Sequence, residues 1–176
     1  MRRALAFLLL VALSGCQPAG PSAEADNTAL APASSLEQAA IDTGVIADAS
    51  KLTPVGLYRN SHEAGRDRLC ILPGEKGHFR FGMQAVVGEE TVCTGRGTAR
   101  LVGDRLILNF ARSACLIVAS YEGDRVVLPG ALDVTCSDLC TGRGTLEGVA
   151  FPRITQDETS ARAERTNEGE PLCNAG

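Results

Sequence analysis

Gly103-Asp-Arg-Leu-Ile-Leu-Asn-Phe110 and Cys115-Leu-Ile-Val-Ala-Ser-Tyr-Glu-Gly-Asp-Arg-Val-Val-Leu128 decide the fold class. Three short β-rich runs lie here, and Gly103-Asp104 and Gly123-Asp124 read as tight hairpin turns. Similar runs continue upstream. They are Val55-Gly-Leu-Tyr-Arg59, Arg68-Leu-Cys-Ile-Leu72 and His78-Phe-Arg-Phe-Gly-Met-Gln-Ala-Val-Val87. Pro73-Gly74, Gly88 and Pro129-Gly130 add further turn signals. Many short strands at a spacing of roughly ten residues predict an all-β domain, a small antiparallel barrel or a sandwich. The chain has no Trp, two Tyr and five Phe. Its core must therefore be aliphatic, built largely from Val, Leu and Ile.

A repeat lies within this region. Cys93-Thr-Gly-Arg-Gly-Thr98 recurs as Cys140-Thr-Gly-Arg-Gly-Thr145. Cys70 aligns with Cys115 in the same way, so residues of about 68–110 and 114–154 read as two tandem units. Each unit would hold a Cys-bearing strand, a hairpin, the repeated hexapeptide and a further strand. Closing such units on each other removes sheet edges that would otherwise pair between molecules.

Seven cysteines are present. Setting Cys16 aside leaves Cys70, Cys93, Cys115, Cys136, Cys140 and Cys173, and an even number in an exported chain reads as a disulfide framework. Symmetry between the units pairs Cys70 with Cys93 and Cys115 with Cys140. Cys136 and Cys173 then pin the tail onto the second unit. Exchanging Cys136 and Cys140 is the nearest alternative. No metal site is expected, because there is no second close Cys pair and His62 and His78 lie far from Cys136 and Cys140. No cofactor is expected either.

The N-terminus supplies the address. Arg2 and Arg3 precede the apolar run Ala4 to Leu13, which Ser14-Gly15-Cys16 follows. The order matches a secretory signal peptide, and the run is too short to span a bilayer. Leu13-Ser-Gly-Cys16 resembles the lipobox of bacterial lipoproteins. That resemblance implies cleavage after residue 15 and lipidation (palmitate included) of Cys16, which becomes the first mature residue. The longer motif that accompanies a twin-arginine signal is missing, so general secretion is expected. Gln17 is not the Asp that retains such proteins at the inner membrane, so the resemblance implies the outer membrane, facing the periplasm. Several acyl chains anchor stably, since each buried methylene contributes about 0.8 kcal/mol.

The domains follow: signal peptide 1–15, lipidated Cys and tether 16–50, β-domain 51–154 and a polar tail 155–176. Residues 17–50 are rich in Ala, Ser and Pro. Within them Ser35-Leu-Glu-Gln-Ala-Ala-Ile41 reads as a turn or two of helix capped by Ser34 or Ser35. Thr159 to Glu168 reads as helix or as disordered chain. The formal net charge is −4, and losing Arg2 and Arg3 makes it −6. An acidic balance argues against nucleic acid as a partner. It favours a basic protein partner, a lysozyme for example.

Two further resemblances bear on the fold. Gly56-x-Tyr58 resembles the Gly-x-Trp opening of lipocalins, with Tyr in place of Trp. The chain also resembles bacterial lipoprotein inhibitors of lysozyme in size, anchoring and strand texture. Neither resemblance assigns a site residue here.

Arg96 and Arg143 occupy matching places in the repeat, each between two glycines. Together they are candidates for a two-pronged anion site, against glycine bulges at barrel corners. Ser61, His62 and Asp67 have the residue types of a hydrolase triad, but no Gly-x-Ser-x-Gly elbow surrounds any Ser. His78 is expected as a half-exposed strand residue. Glu89-Glu90 and Asp133 with Asp138 read as turn charges rather than a glycosidase pair. No catalytic residue is assigned. The expected function is a non-catalytic binding module for a protein or envelope ligand, anchored to the envelope. The alternatives are a structural lipoprotein in a larger assembly or a periplasmic hydrolase.

Overall fold

The eight strands of this computed structural model turn apolar residues inward and close on themselves. Residues 35–43, 45, 52–88 and 91–173 are described. The signal peptide, Cys16, most of the tether and Glu89-Glu90 lie outside them. Helix α1 spans Ser35–Asp42, where the sequence predicts it.

The strands are β1 (Gly56–His62), β2 (Gly65–Pro73), β3 (Phe79–Val86), β4 (Val92–Val102), β5 (Arg105–Phe110), β6 (Leu116–Tyr121), β7 (Arg125–Val127) and β8 (Ala150–Thr155). Each pairs antiparallel with the next, and β8 returns to β1. The result is an up-and-down barrel, which resolves the choice between barrel and sandwich. The predicted turns at Gly103-Asp104 and Gly123-Asp124 connect β4 to β5 and β6 to β7.

Eight strands leave an interior that side chains can fill. On β5, Leu106, Leu108 and Phe110 are buried while Asn109 is exposed; on β6, Ile117, Ala119 and Tyr121 are buried while Leu116 and Val118 are exposed. Tyr58, Leu69, Ile71, Phe81, Met83, Val126 and Phe151 complete the filling. Phe81 and Phe110 meet edge to face at 5.0 Å, the arrangement that ring quadrupoles favour.

Tyr58 and Tyr121 close one end of the barrel beneath Arg153. The other end is capped by the long β7–β8 connection, which carries a 3₁₀ helix, Val134–Leu139. Asp133 caps that helix by accepting from Thr135 N at 2.9 Å.

The disulfide pairing differs from the symmetric scheme. The bonds are Cys70–Cys173, Cys93–Cys140 and Cys115–Cys136. The scheme fails because the two units are not alike. The first hexapeptide lies inside β4, whereas the second passes through one isolated bridge, Cys93 to Cys140, and then a turn. Residues 68–110 hold four strands, but 114–154 hold three and the 3₁₀ helix. The tandem units are therefore a feature of sequence without a matching structural repeat.

The tail is also placed differently. It packs on the outside of β1, β2 and β3, in the first half of the chain. Helix α2 (Glu158–Ala163) is capped by Asp157, which accepts from Ser160 N. Ala161, Leu172 and Cys173 bury themselves against Leu57, Cys70 and Leu72 in a second small core. A Cβ on Gly82 would lie 2.0 Å from Leu172 O, so only glycine admits the tail this close. Glu164 is buried between Arg59 and Arg68, with Arg68 Nε at 3.0 Å from its carboxylate. Its partnership with Arg59 holds that guanidinium's pKa above the ordinary value.

Candidate functional site: a groove at the capped end of the barrel

A groove of about 750 Å³ opens where β4 runs past the end of β5. Its floor is apolar: Met83, Gly95, Phe110, Leu139 and Leu172. Its rim is polar: Thr94, Arg96, Arg112, Ser113, Asp138, Thr141, Thr166, Glu168 and Glu170. Four elements build it. β4 forms the central wall, the 110–113 turn one side, the 3₁₀ helix another and the tail the last.

Disulfides fix three of these walls. Cys93–Cys140 ties the end of the 3₁₀ helix to β4, and Cys115–Cys136 ties its start to the foot of β6. Cys70–Cys173 holds the tail in place. Arg96 reinforces that wall, since its Nη2 donates to Pro171 O at 3.1 Å and lies 3.6 Å from Glu170 Oε2. Glu168 accepts from Gln84 Nε2 at 3.2 Å. Hydrogen bonding, led by the Thr166 hydroxyl, holds the Glu168 carboxyl below the ordinary glutamate pKa. Gly95 is required because a Cβ there would lie 2.3 Å from the Phe110 ring.

Arg96 lines the groove and Arg143 does not. Gly144 packs against Thr91, which places Arg143 beside the start of β4. Arg96 is five positions further along, about 16 Å at ~3.3 Å per strand residue. Arg143 is exposed on the turn after Gly142 and does not line the groove. Arg112 is the other arginine that lines the groove.

His62 and Asp67 do meet. His62 Nε2 lies 3.1 Å from Asp67 Oδ1, which also accepts from Val86 N at 2.9 Å. Ser61 is adjacent in an extended strand, so its side chain leaves by the opposite face. The geometry therefore joins two members of the triad and separates the third. His78 is exposed in the turn before β3, rather than half-exposed within a strand. Asp133 serves as a helix cap, and Thr135 hydrogen bonds hold its pKa down. Asp138 lines the groove and Asp133 does not. Among the described residues, no cluster of His, Cys, Asp and Glu is arranged to hold a metal ion.

Sequence reasoning did not single out Arg153. Its guanidinium carbon lies 5.3 Å from the Tyr58 ring centre and 5.5 Å from that of Tyr121. Nη2 donates to Thr53 O at 2.8 Å and to the Tyr121 hydroxyl. Nε and Nη1 are buried without hydrogen-bond partners among the described residues. Cation–π attraction to two rings stabilises the charge in place of a carboxylate. Burial pushes the Tyr58 hydroxyl well above the ordinary tyrosine pKa, and Tyr121 shifts the same way for the same reason. Gly56, two residues before Tyr58, is obligatory, since a Cβ would lie 2.2 Å from Thr155 O where β8 crosses.

Comparison of the chain with protein-family models, with curated proteins and with solved structures finds no match.

Proposed function

We propose that the chain is a lipid-anchored envelope protein whose barrel is a non-catalytic binding module for a protein partner. One observation carries the reading. The barrel interior is filled by its own side chains, while the groove at the capped end pairs an apolar floor with a charged rim on walls joined by disulfides. A rigid concave surface with polar groups around an apolar floor is suited to recognition, because little ordering entropy is lost on binding. Three disulfides suit an oxidising compartment outside the cytoplasm. The lipobox resemblance supports attachment through Cys16 to the outer membrane, with the barrel in the periplasm. The acidic balance of the chain, −4 overall, favours a basic partner.

Photo-crosslinking in cells tests the binding reading. A crosslinker at position 112 or 138, on the groove rim, should trap a defined protein. One at position 76, in the β2–β3 turn at the other end, should not. Equal trapping from all three positions, or none from the rim, overturns the reading. Palmitate labelling that disappears in Cys16→Ala tests the anchor separately.

A further inference from the structure

The wall of the groove contains an opening in the hydrogen-bond ladder, and the opening has a definite chemistry. Val92 is tied to the second hexapeptide: its N–H donates to Thr141 Oγ1 at 3.0 Å, and its carbonyl accepts from Thr141 N at 2.9 Å. Four residues on, the Arg96 carbonyl accepts from Ala111 N at 2.9 Å, where β5 takes over. Alternate residues of a strand direct both backbone groups to the same edge. The Thr94 carbonyl and the Arg96 N–H therefore point into the space between these two ties. Neither has a hydrogen-bond partner among the described residues.

One acceptor and one donor flanking Gly95 form the pattern that a single residue of a parallel strand satisfies. Its N–H reaches Thr94 O, and its carbonyl receives Arg96 N–H. Below this edge lie Phe110, Met83 and Leu139, an apolar floor for the side chain of such a residue. Around it the acidic groups Asp138, Glu168 and Glu170 outnumber Arg96 and Arg112, and Asp138 has no ion-pair partner among the described residues.

We infer that the groove receives an extended polypeptide segment of a protein partner, paired with the Thr94–Arg96 edge, with an apolar side chain on the floor and a basic one at Asp138. The inference rests on the binding-module reading and names the ligand class for that groove. Main-chain pairing supplies affinity and the flanking pockets supply selectivity, as in other strand additions.

The test uses the full chain and a library of random displayed peptides. Enriched peptides should place Lys or Arg near an aliphatic residue. Binding should slow hydrogen exchange at the Arg96 amide. N-methylation of the pairing residue, and separately Asp138→Lys, should each weaken binding about tenfold, equivalent to about 1.4 kcal/mol. Arg143→Ala should leave binding unchanged. Failure to enrich any peptide overturns the inference, as does enrichment that leaves Arg96 exchange unaltered. Rim crosslinking to a partner alongside such a failure would leave the binding reading intact and remove only the strand-addition geometry.

Discussion

Replacing Cys70 and Cys173 by Ala should be the most damaging of the three disulfide deletions. A cross-link stabilises mainly by restricting the unfolded chain, more so for longer loops. Cys70 and Cys173 are 103 residues apart. The Cys93–Cys140 bond shortens that path in the unfolded state. About 23 residues run from Cys70 to Cys93 and about 33 from Cys140 to Cys173, which leaves an effective loop of about 56 residues and a loss of about 4.2 kcal/mol. Cys93–Cys140 spans 47 residues, reduced to about 26 by the nested bond, for about 3.5 kcal/mol. Cys115–Cys136 spans 21 residues, for about 3.3 kcal/mol. The assay is equilibrium urea unfolding of the three double-Ala variants. With a slope of about 2 kcal/mol per M, Cys70→Ala/Cys173→Ala should lose about 2 M in midpoint. That variant should also gain rapid hydrogen exchange over 158–173, since the tail loses its covalent tie. A midpoint change below about 0.5 M, or a reversed ranking, would refute the reasoning.

Other tests are simpler. The chain has two Tyr and no Trp, so tyrosinate absorbance reports Tyr58 and Tyr121 alone. Both have folded-state pKa values raised by burial. Stability from keeping them neutral is therefore fully present below the unfolded value of about 10 and is lost as pH rises toward the folded values. Native protein should show no tyrosinate at a pH where urea-unfolded protein shows two, and ionisation should coincide with unfolding. Two independent native titrations near 10 would contradict the burial. Glu164→Gln should cost about 3 kcal/mol in unfolding free energy, because it leaves two arginines facing an uncharged group; a change under about 1 kcal/mol would mean that the pair is not buried in solution. Gly97→Ala should prevent or severely weaken folding, since its Cβ would lie 1.9 Å from Asn109 O, and normal expression with an unchanged melting temperature would exclude the β4–β5 register.

Six strands were legible because their inward positions carry large apolar residues between turn residues that terminate pairing; β4, whose buried positions are Cys93 and Ala99, and β8 gave no such run. The tail was left open between helix and disordered chain over Thr159 to Glu168, and the structure forms α2 over Glu158–Ala163. The site was less so. Arg112, Asp138 and Glu168 are unremarkable surface charges in sequence, and only the short length of β5 and the return of the tail make them neighbours. Arg153 was missed for the same reason. Its partners Tyr58 and Tyr121 are 95 and 32 positions away, and β8 brings them together only once the barrel closes.

The repeated hexapeptide shows why local sequence was insufficient. Six identical residues take two conformations. At 93–98 they pair along β3, and from Gly97 also with β5. At 140–145 the one β-bridge among the described residues is at Cys140, Thr141 hydrogen-bonds Val92, and Gly142 turns to φ +67°. The glycines permit both outcomes, since each costs little at positive φ and also fits a crowded strand. Neighbouring chain decides between them. The first copy follows a long strand-forming hairpin, whereas the second follows a 3₁₀ helix tethered by Cys115–Cys136. The disulfide then joins the copies to each other at Cys93 and Cys140, instead of closing each within its own unit. Because the second copy leaves β4 after a single bridge, the Thr94 carbonyl and the Arg96 N–H stay unpaired among the described residues. The groove is thus a consequence of the repeat failing to become a repeated structure.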